Sequence, residues 1–339
     1  MGNYNGMVDI DPDMKALLQL CAAYDRPETC RAARYELARA LELPLREGIF
    51  PGNIINGIFE QVKFDYGTQY EMPTSPFAPG TEKEYVAFTV PNYGVLPQKF
   101  VEGDYVSIPT YEIAGVISIG MKYARDAKWD VVGRLMNVLE AQVVKKMNDD
   151  GWHLLLATAA DRNIMVYDSN ANSGQFTKRL ISLGKTVMRR NGGGNSTSVN
   201  RGRLTDIFIS PAGTEEMRNW GIDQIDEVTR REIYQADDNS DVIQRIYSVN
   251  LHDIDELGEG QEYQQYFTNE LQGTLIPGDL ELLIGMDLSK NDSFIQPVRS
   301  PFQIVENDQV AMQRAISYYG IADIGFGALD NRRIITLSM

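Results

Sequence analysis

The sequence predicts a mixed α+β fold, in which β segments alternate with amphipathic helices. Two observations predict this class. Residues Ala124–His153 place apolar side chains at spacings of three and four, which is the period of a helix. The segments Tyr105–Met121 and Val310–Ile324 instead have the composition typical of strands. The chain has 339 residues, which is enough for one large domain or two of ordinary size.

Composition and charge exclude several classes of protein. Apolar residues make up 43% and charged residues 23% of the chain, as in folded soluble proteins. No apolar run approaches the ~20 residues of a membrane-spanning helix, and the first residues do not have the pattern of a signal peptide. The net charge of −15 argues against general affinity for nucleic acid. We expect Cys21 and Cys30 to be reduced thiols, because two cysteines neither staple so long a chain nor fill a zinc site.

The N-terminal residues from Asp11 to about Glu42 predict two short helices. Asp11 and Pro12 form an N-cap followed by proline at the first helical position, and Pro27 starts the second helix. The segment carries too little apolar surface to fold alone, so we expect it to be an arm.

A long β-hairpin is predicted between Ile54 and Phe100. Its strands are Ile58–Tyr70 and Glu84–Val90, and the proline-rich segment Met72–Gly80 forms its irregular end. Neither strand has a clean apolar face, and an isolated hairpin is only marginally stable in water. We therefore expect the hairpin to lie on a neighbouring molecule.

The strongest helix prediction is Ala124–His153. At about 1.5 Å per residue this helix is about 40 Å long, which is enough to span a domain. We expect His153 at its C-terminal end, where a polar ring suits the helix dipole. The predicted apolar stripe consists of Trp129, Val132, Met136, Leu139, Val143 and Met147.

Shorter helices and strands fill the rest of the chain. Helices are predicted at Phe176–Arg190, Gly213–Trp220 and Asp226–Gln235. Strands are predicted at Leu204–Ser210, Leu280–Met286, Phe294–Val298, Phe302–Val305, Val310–Ile324 and Arg333–Ser338. The acidic stretch His252–Glu262 is predicted to be a loop or linker.

No catalytic, cofactor-binding or metal-binding residue is predicted. His153 and His252 are about a hundred residues apart, which argues against histidine-based triads and metal sites. The aspartates in 9–13 and 237–241 imitate the start of a calcium loop, but its glycine and closing glutamate are replaced. The glycines at 192–194 follow a helix, which indicates a helix end and not a phosphate-binding loop. A carboxylate pair for acid–base chemistry stays open, because 47 acidic residues supply candidates and nothing selects one.

The order of these parts matches a known architecture. A helical arm, a proline-tipped hairpin, a strand and a long helix are followed by an α/β region and terminal β segments. The stretches that carry the likeness best are Ile108–Ala114, Leu204–Ala212 with its strand, proline and helix, and the terminal pair Tyr319–Gly327 and Asn331–Leu337. The chain resembles the major capsid protein of tailed bacteriophages, whose Hong Kong 97-like fold is shared by encapsulin shells.

The resemblance implies a division of the chain into four parts. These are an N-terminal arm at residues 1–51, an extended E-loop hairpin at 52–100, a P-domain at 101–160 and 302–339, and an A-domain at 161–301. The long helix would be the spine of the P-domain. The terminal pair of segments resembles the paired terminal strands of that domain.

The resemblance also implies a function, namely self-assembly into an icosahedral phage head that encloses double-stranded DNA without sequence-specific binding. It implies hexamers and pentamers of this chain, a portal, a possible decoration protein, and a virion assembled in the host cytoplasm. It implies no enzymatic activity, no cofactor and no membrane contact. About fifty residues before the hairpin leave no room for a scaffolding region, so a separate scaffolding protein or an already trimmed chain is expected.

Some members of this family cross-link their subunits through a lysine on the hairpin. Lys63 and Lys83 lie on the proposed hairpin here, but lysine is common and self-cross-linking is not expected. Two alternative functions stay open. One is an encapsulin-type compartment that packs an enzyme, and the other is an α/β enzyme with an unidentified carboxylate site.

Overall fold

The computed structural model describes residues 54–65, 70–73, 105–120, 129–172, 174–191, 202–220, 245–275, 281–289, 293–306 and 315–339. Several predictions lie outside these residues. They are the helices between Asp11 and Glu42, both cysteines, most of the hairpin end at Met72–Gly80, the strand Glu84–Val90, Lys83, the glycines at 192–194, the helix Asp226–Gln235 and both calcium-like segments.

The described residues include four α-helices. They are α1 (Trp129–Arg162), α2 (Lys178–Asn191), α3 (Pro211–Arg218) and α4 (Glu262–Gln265), which continues as a π-helical turn at Tyr266–Glu270. Within the part of the chain that the structure describes, none of the helices combines the length and the apolar character that crossing a bilayer requires.

The strands form two large sheets and a ribbon. They are β1 (Glu60–Lys63), β2 (Tyr70–Pro73), β3 (Tyr105–Ile108), β4 (Tyr111–Gly120), β5 (Met165–Tyr167), β6 (Asp206–Ile209), β7 (Arg245–Ile246), β8 (Val249–Asp253), β9 (Leu282–Met286), β10 (Phe294–Glu306), β11 (Ala315–Ile324), β12 (Gly327–Ala328) and β13 (Ile334–Ser338). One sheet has the order β5-β13-β9-β6-β8-β7. The other has the order β1-β10-β11-β4 with β12 beside β10, and β2 pairs with β3 in the ribbon.

The six-stranded sheet has a helical layer on each face. Successive residues of β6 point to opposite faces, as the pleat requires. Ile207 packs in the cluster that includes Leu180 of α2, whereas Phe208 packs in the cluster that includes Trp152 of α1 and Tyr263 of α4. Helices α2 and α3 therefore cover one face, and α1 and α4 cover the other.

The second sheet packs against α1 through β4. Ile113 and Ile117 of β4 are buried on the side of the helix, as are Leu139 and Val143 of α1. Gly115 makes the close approach possible, because a Cβ at this position would lie 2.5 Å from Leu139 Cδ1. One long helix therefore supports both sheets.

Helix α1 confirms the predicted helix but not its end. The C-terminal end expected at His153 was wrong, since α1 continues to Arg162. Trp152, Leu155, Leu156 and Ala159 are all buried and continue the helical spacing of three and four.

The first predicted hairpin strand, Ile58–Tyr70, was wrong as a single strand. A 3-10 turn at Ile54–Gly57 precedes β1, and β1 pairs in parallel with β10 instead of with a hairpin partner. Tyr70, the last residue of the predicted strand, is the first residue of β2, which pairs with β3. The partial alternation of the sequence does not reveal that two short strands join two different sheets.

The terminal strands were predicted at nearly correct positions but with the wrong pairing. Strand β11 lies between β10 and β4, whereas β13 lies between β9 and β5 in the other sheet. The two segments expected to pair with each other therefore belong to separate sheets. The proposed boundaries at 160/161 and 301/302 fall inside α1 and β10.

Two further elements differ from the prediction. The sequence predicts a loop at His252–Glu262. In the structure, His252 and Asp253 still belong to β8, and Glu262 is the first residue of α4. The separate strands expected at Phe294–Val298 and Phe302–Val305 form one strand, β10, with irregular pairing to β11 between them.

Candidate interaction surface

One face of the β1-β10-β11-β4 sheet carries a row of apolar side chains toward solvent. Val305 of β10 pairs with Tyr319 of β11, which pairs with Val116 of β4. Val116 is 60% exposed and Val305 is 37% exposed. These three residues lie opposite the side of the sheet that α1 covers, because β4 alternates and Ile117 is buried.

The neighbouring row of the same face is formed by Gln303, Ile321 and Ala114, which pair in the same way. Gln303 and Ala114 are exposed and Ile321 is half-buried. We call the six residues of these two rows the outer sheet face. A sheet with one solvated face usually has polar side chains there, so adjacent apolar side chains are typical of a contact surface.

Strand β4 is the edge of this sheet among the described residues, and its first residue is fixed to α1. The hydroxyl of Tyr111 donates to Asp150 Oδ2 at 2.8 Å, and Lys146 Nζ donates to Asp150 Oδ1 at 2.6 Å. Burial and the bond to the Asp150 carboxylate raise the pKa of the Tyr111 hydroxyl. The tyrosine is therefore a neutral donor that holds the edge strand against the long helix.

The β2–β3 ribbon brackets residues 74–104. Tyr70 pairs with Ile108 and Pro73 pairs with Tyr105, so the chain leaves and returns at one end of the ribbon. The ring of Phe64 lies 5.8 Å from that of Tyr70, and the Arg299 guanidinium lies 5.0 Å from the Phe64 ring centroid. These contacts connect β2 to β10.

The clearest titratable pair is His252 and Asp206 on the six-stranded sheet. His252 Nε2 lies 2.8 Å from Asp206 Oδ1, and Asn250 Nδ2 donates to the same oxygen at 3.0 Å. Burial alone would raise the pKa of Asp206, but hydrogen bonds from His252, Thr205 and Asn250 hold it below its ordinary value. The His252 ring stacks on Phe208 at 4.7 Å, so this pair serves packing and contains no nucleophile.

The other histidine also packs against aromatic rings. The His153 ring stacks on Tyr266 with centroids 4.0 Å apart, in the interior of α1. The expected role at a helix end was therefore wrong. His153 instead joins α1 to the π-helical turn that follows α4.

A buried ion pair links the end of β9 to the start of β13. Arg333 Nη1 donates to Asp287 Oδ2 at 2.8 Å, and both side chains are buried. The backbone N–H of Arg203 donates to the same oxygen, and Ser289 donates to Oδ1 through its N–H and hydroxyl. This network is fully hydrogen-bonded and structural.

The Glu281 carboxylate lies at the start of β9 and accepts a hydrogen bond from the Ser210 hydroxyl. Ser210 Oγ accepts in turn from the N–H of Gly213, so the residue caps α3. Burial raises the pKa of the Glu281 carboxyl, and the negative charge of Glu259 also raises it. Across the described ranges, no three or more histidine, cysteine or acidic side chains are arranged to hold a metal ion.

No protein-family model and no curated protein matches this sequence. Solved structures match it over most of its length. A structure from Microbacterium phage Oxtober96 has a TM-score of 0.58 at 10% identity and covers 84% of this chain and 90% of its own. The bacteriophage PhiM1 mature capsid has a TM-score of 0.52 at 9% identity, with 85% and 87% covered. The capsid of an empty GTA particle has a TM-score of 0.52 at 11% identity, with 84% and 89% covered.

The chain has the fold of phage capsid proteins. The predicted α+β class and the predicted resemblance are both confirmed. The division into N-terminal arm, E-loop, P-domain and A-domain stays a prediction. Lys63, which the sequence analysis assigned to the hairpin, is exposed on β1, where it pairs with Val298 of β10.

Sequence reasoning did not identify the outer sheet face of this capsid fold. Val116 and Val305 are far apart in the sequence and meet only through β11. A local signal existed in β11, where Tyr318, Tyr319 and Ile321 place bulky side chains on both faces of one strand. Such a strand is expected to be covered on both sides.

Proposed function

We propose that this chain is a structural subunit that self-assembles into an icosahedral phage head enclosing double-stranded DNA. The observation that carries the proposal is the likeness of its fold to phage capsid structures, which extends over more than four-fifths of the chain. A likeness of this extent involves both sheets and the long helix together, and not one common motif.

The outer sheet face supports the same proposal independently. Val116, Tyr319 and Val305 form a row across three strands and leave apolar surface in contact with water. Subunit contacts bury such surface and gain free energy roughly in proportion to the apolar area removed from water. In a shell, a neighbouring subunit would cover this apolar face, whereas in an isolated protein the face would stay in contact with water.

The proposal includes the composition of the particle. Hexamers and pentamers of this chain would form the shell, with a portal, a separate scaffolding protein and possible decoration proteins as partners. The location would be the virion, after assembly in the host cytoplasm. The subunit would have no enzymatic activity, and the enclosed DNA would be bound without sequence specificity, in keeping with the net charge of −15.

Electron microscopy and light scattering of the protein, expressed alone and with its neighbouring genes, test this proposal. We expect closed particles in at least one of the two conditions. Particles that form only with the neighbouring genes would identify a separate scaffold. Monomers or dimers under every condition would contradict the proposal and favour the enzyme alternative.

Cargo analysis separates a phage head from a compartment. Particles purified from infected or induced cells are treated with nuclease, and the protected contents are then extracted. Genome-length DNA is the expected result. A packed enzyme without DNA would show an encapsulin-type compartment instead.

A further inference from the structure

Helix α2 is strongly basic in a chain of net charge −15. It has no acidic residue, and its apolar side, with Leu180, Ile181 and Met188, packs on the six-stranded sheet. The basic side chains therefore share the remaining surface of the helix. They are Lys178, Arg179, Lys185, Arg189 and Arg190.

The stability of α2 does not explain this charge. Basic residues in the last turn suit the helix dipole, but Lys178 and Arg179 lie in the first turn, where the dipole disfavours cations. The ion pair that the structure shows for Arg179 is with Asp168, at 3.7 Å. We therefore infer that the positive charge at the start of α2 serves a contact outside the helix.

A cavity of about 500 Å³ lies between α2 and the β7–β8 turn, lined by Lys178, Arg179, Ile181, Ser182, Lys185 and Tyr247. The Lys185 ammonium donates to the backbone oxygen of Tyr247. Tyr247 and Ser248 both have positive φ, of 49° and 64°, in a turn that usually contains asparagine and glycine. The 49% exposed Tyr247 side chain is therefore held beside the basic residues, and arginine with tyrosine is typical of protein contacts.

The opposite face of the same sheet carries an acidic segment, which follows β8. Ile254 and Leu257 anchor it in the cluster that includes α1 and α4, and Tyr263 N–H donates to the backbone oxygen of Glu256 at 3.2 Å. Between these anchors the segment turns tightly at Gly258 and Gly260, which both have positive φ. Its carboxylates are Asp255, Glu256, Glu259 and Glu262, and no lysine or arginine lies between them. Asp253, the last residue of β8, instead lies on the face of Val249 and Leu251, where it is close to Arg218 of α3.

Among the residues that the structure describes, one cation forms an ion pair with the acidic segment. Glu262 forms an exposed ion pair with Lys145 at 3.5 Å. The carboxylates of Asp255, Glu256 and Glu259 are presented to solvent.

We propose that the basic side of α2 docks on the acidic segment 255–262 of a second copy of this chain, in a head-to-tail contact that builds rings. The inference rests on the proposed function, because such rings would be the units of the shell. The two surfaces carry five positive and four negative side chains, and the anchors of the acidic segment, Ile254 and Leu257, pack on the face of the sheet opposite to α2. A contact between unlike surfaces of two copies closes into a ring when the rotation between the copies permits it.

Nucleic acid is the other polyanion that α2 could contact. It would use the basic surface alone and would leave the acidic segment without a role. A second copy accounts for both surfaces with one contact, so the observations favour a protein partner. Complementary charge of this kind also fixes the orientation of the partners.

Charge reversal tests the proposal in the full-length chain. The first variant, Lys178→Glu with Arg190→Glu, changes one residue at each end of α2, so that the helix-dipole effects oppose each other. The second variant, Glu256→Lys with Glu259→Lys, changes two exposed carboxylates. Lys63→Glu is the control, because it reverses the charge of an exposed lysine outside both surfaces.

We expect each of the first two variants to lower the yield of particles at least tenfold, as measured by light scattering and electron microscopy under the conditions that assemble the wild-type protein. The control is expected to assemble. The fourfold variant that combines both reversals restores opposite charges and should recover closed particles. An equal mixture of the two defective proteins should recover only even-numbered rings, because the two kinds of subunit must alternate.

Other outcomes overturn the inference. Wild-type yield from either reversed variant, or failure of the fourfold variant to recover, would show that these surfaces do not meet. A first variant that assembles normally but loses bound nucleic acid would show that α2 contacts the cargo. In these cases the wild-type protein still forms particles and the proposed function stands, whereas a wild-type protein that never assembles contradicts both.

Discussion

The buried carboxylate of Asp287 connects segments of the six-stranded sheet. Asp287 follows β9 and receives hydrogen bonds from three different segments, through Arg203, Ser289 and Arg333. A charge that is removed from water requires such complete hydrogen bonding. The network therefore fixes where β13 begins relative to β9.

The substitution Asp287→Asn tests this network. It should lower the free energy of unfolding of the unassembled protein by about 3 to 5 kcal/mol, because Arg333 would keep its charge without a buried partner. Lys146→Met is the control, since it removes an exposed i,i+4 ion pair worth about 0.3 to 0.5 kcal/mol. Denaturant titration gives both values, and similar small losses for the two variants would contradict the structural role.

Asp206 predicts a pH dependence of stability. Because its folded pKa is depressed, the carboxylate stabilises the protein at pH values above its unfolded pKa, about 3.9, and this contribution is lost as pH falls through the folded pKa. The difference in unfolding free energy between the wild-type protein and Asp206→Asn should therefore be largest above about pH 4 and shrink toward lower pH. Urea titrations over an acidic pH series measure it. A difference that stays constant with pH would show that the charge of Asp206 is not involved.

At the scale of elements, α1 is the common support of the molecule. Its middle turns pack on β4 through Leu139 and Val143, and its later turns pack on the six-stranded sheet through Trp152 and Leu155. Both packing surfaces need the full length of the helix, which at about 1.5 Å per residue is about 50 Å. The close contact at Gly115 sets the distance between the helix and the strand.

Gly115→Ala tests that contact. The added Cβ would lie 2.5 Å from Leu139 Cδ1, so the buried Leu139 side chain or the elements that carry it must shift, and we expect a loss of about 1 to 3 kcal/mol. Gly57→Ala is the matched control, because no atom lies within 4 Å of its added Cβ. We expect that change to stay within about 0.5 kcal/mol. Equal thermal and denaturant stability of the two variants would show that α1 and β4 are less tightly packed than described.

Local pattern was enough to predict the elements but not their partners. The helical spacing of Leu139, Val143 and Met147 and the strand composition of β4 and β11 have local causes, and the structure has a helix and strands there. The pairing of β1 with β10 depends on residues more than two hundred positions apart, which no local period encodes. For the same reason the outer sheet face could not be predicted, although the bulky alternation of Tyr318 and Tyr319 hinted at cover on both sides.

At the scale of the whole molecule, the two sheets have different kinds of free surface. The outer sheet face is apolar, with Val116 and Val305 exposed, whereas the six-stranded sheet is covered by helices that carry charge. Apolar contacts supply affinity without direction, and charged contacts supply orientation. The proposed shell subunit would use both.

Val116→Lys tests the apolar surface. We expect an unchanged fold and a melting temperature close to that of the wild-type protein, because the side chain is 60% exposed. Particle yield should fall severalfold, since a charge would be buried at the contact. Val116→Leu keeps the apolar character and should assemble. Normal assembly of the lysine variant would show that this face stays in contact with solvent in the particle.

The position of β13 has a consequence for synthesis on the ribosome. This strand lies between β5 and β9 in the six-stranded sheet, yet it ends at residue 338. While translation is still upstream of it, β5 has no neighbour in the sheet and one edge of β9 is open. Pairings this distant in sequence form late and slowly. A nascent chain interrupted before β13 could therefore not present a finished sheet, and the proposed shell would exclude prematurely terminated products because they fold incompletely.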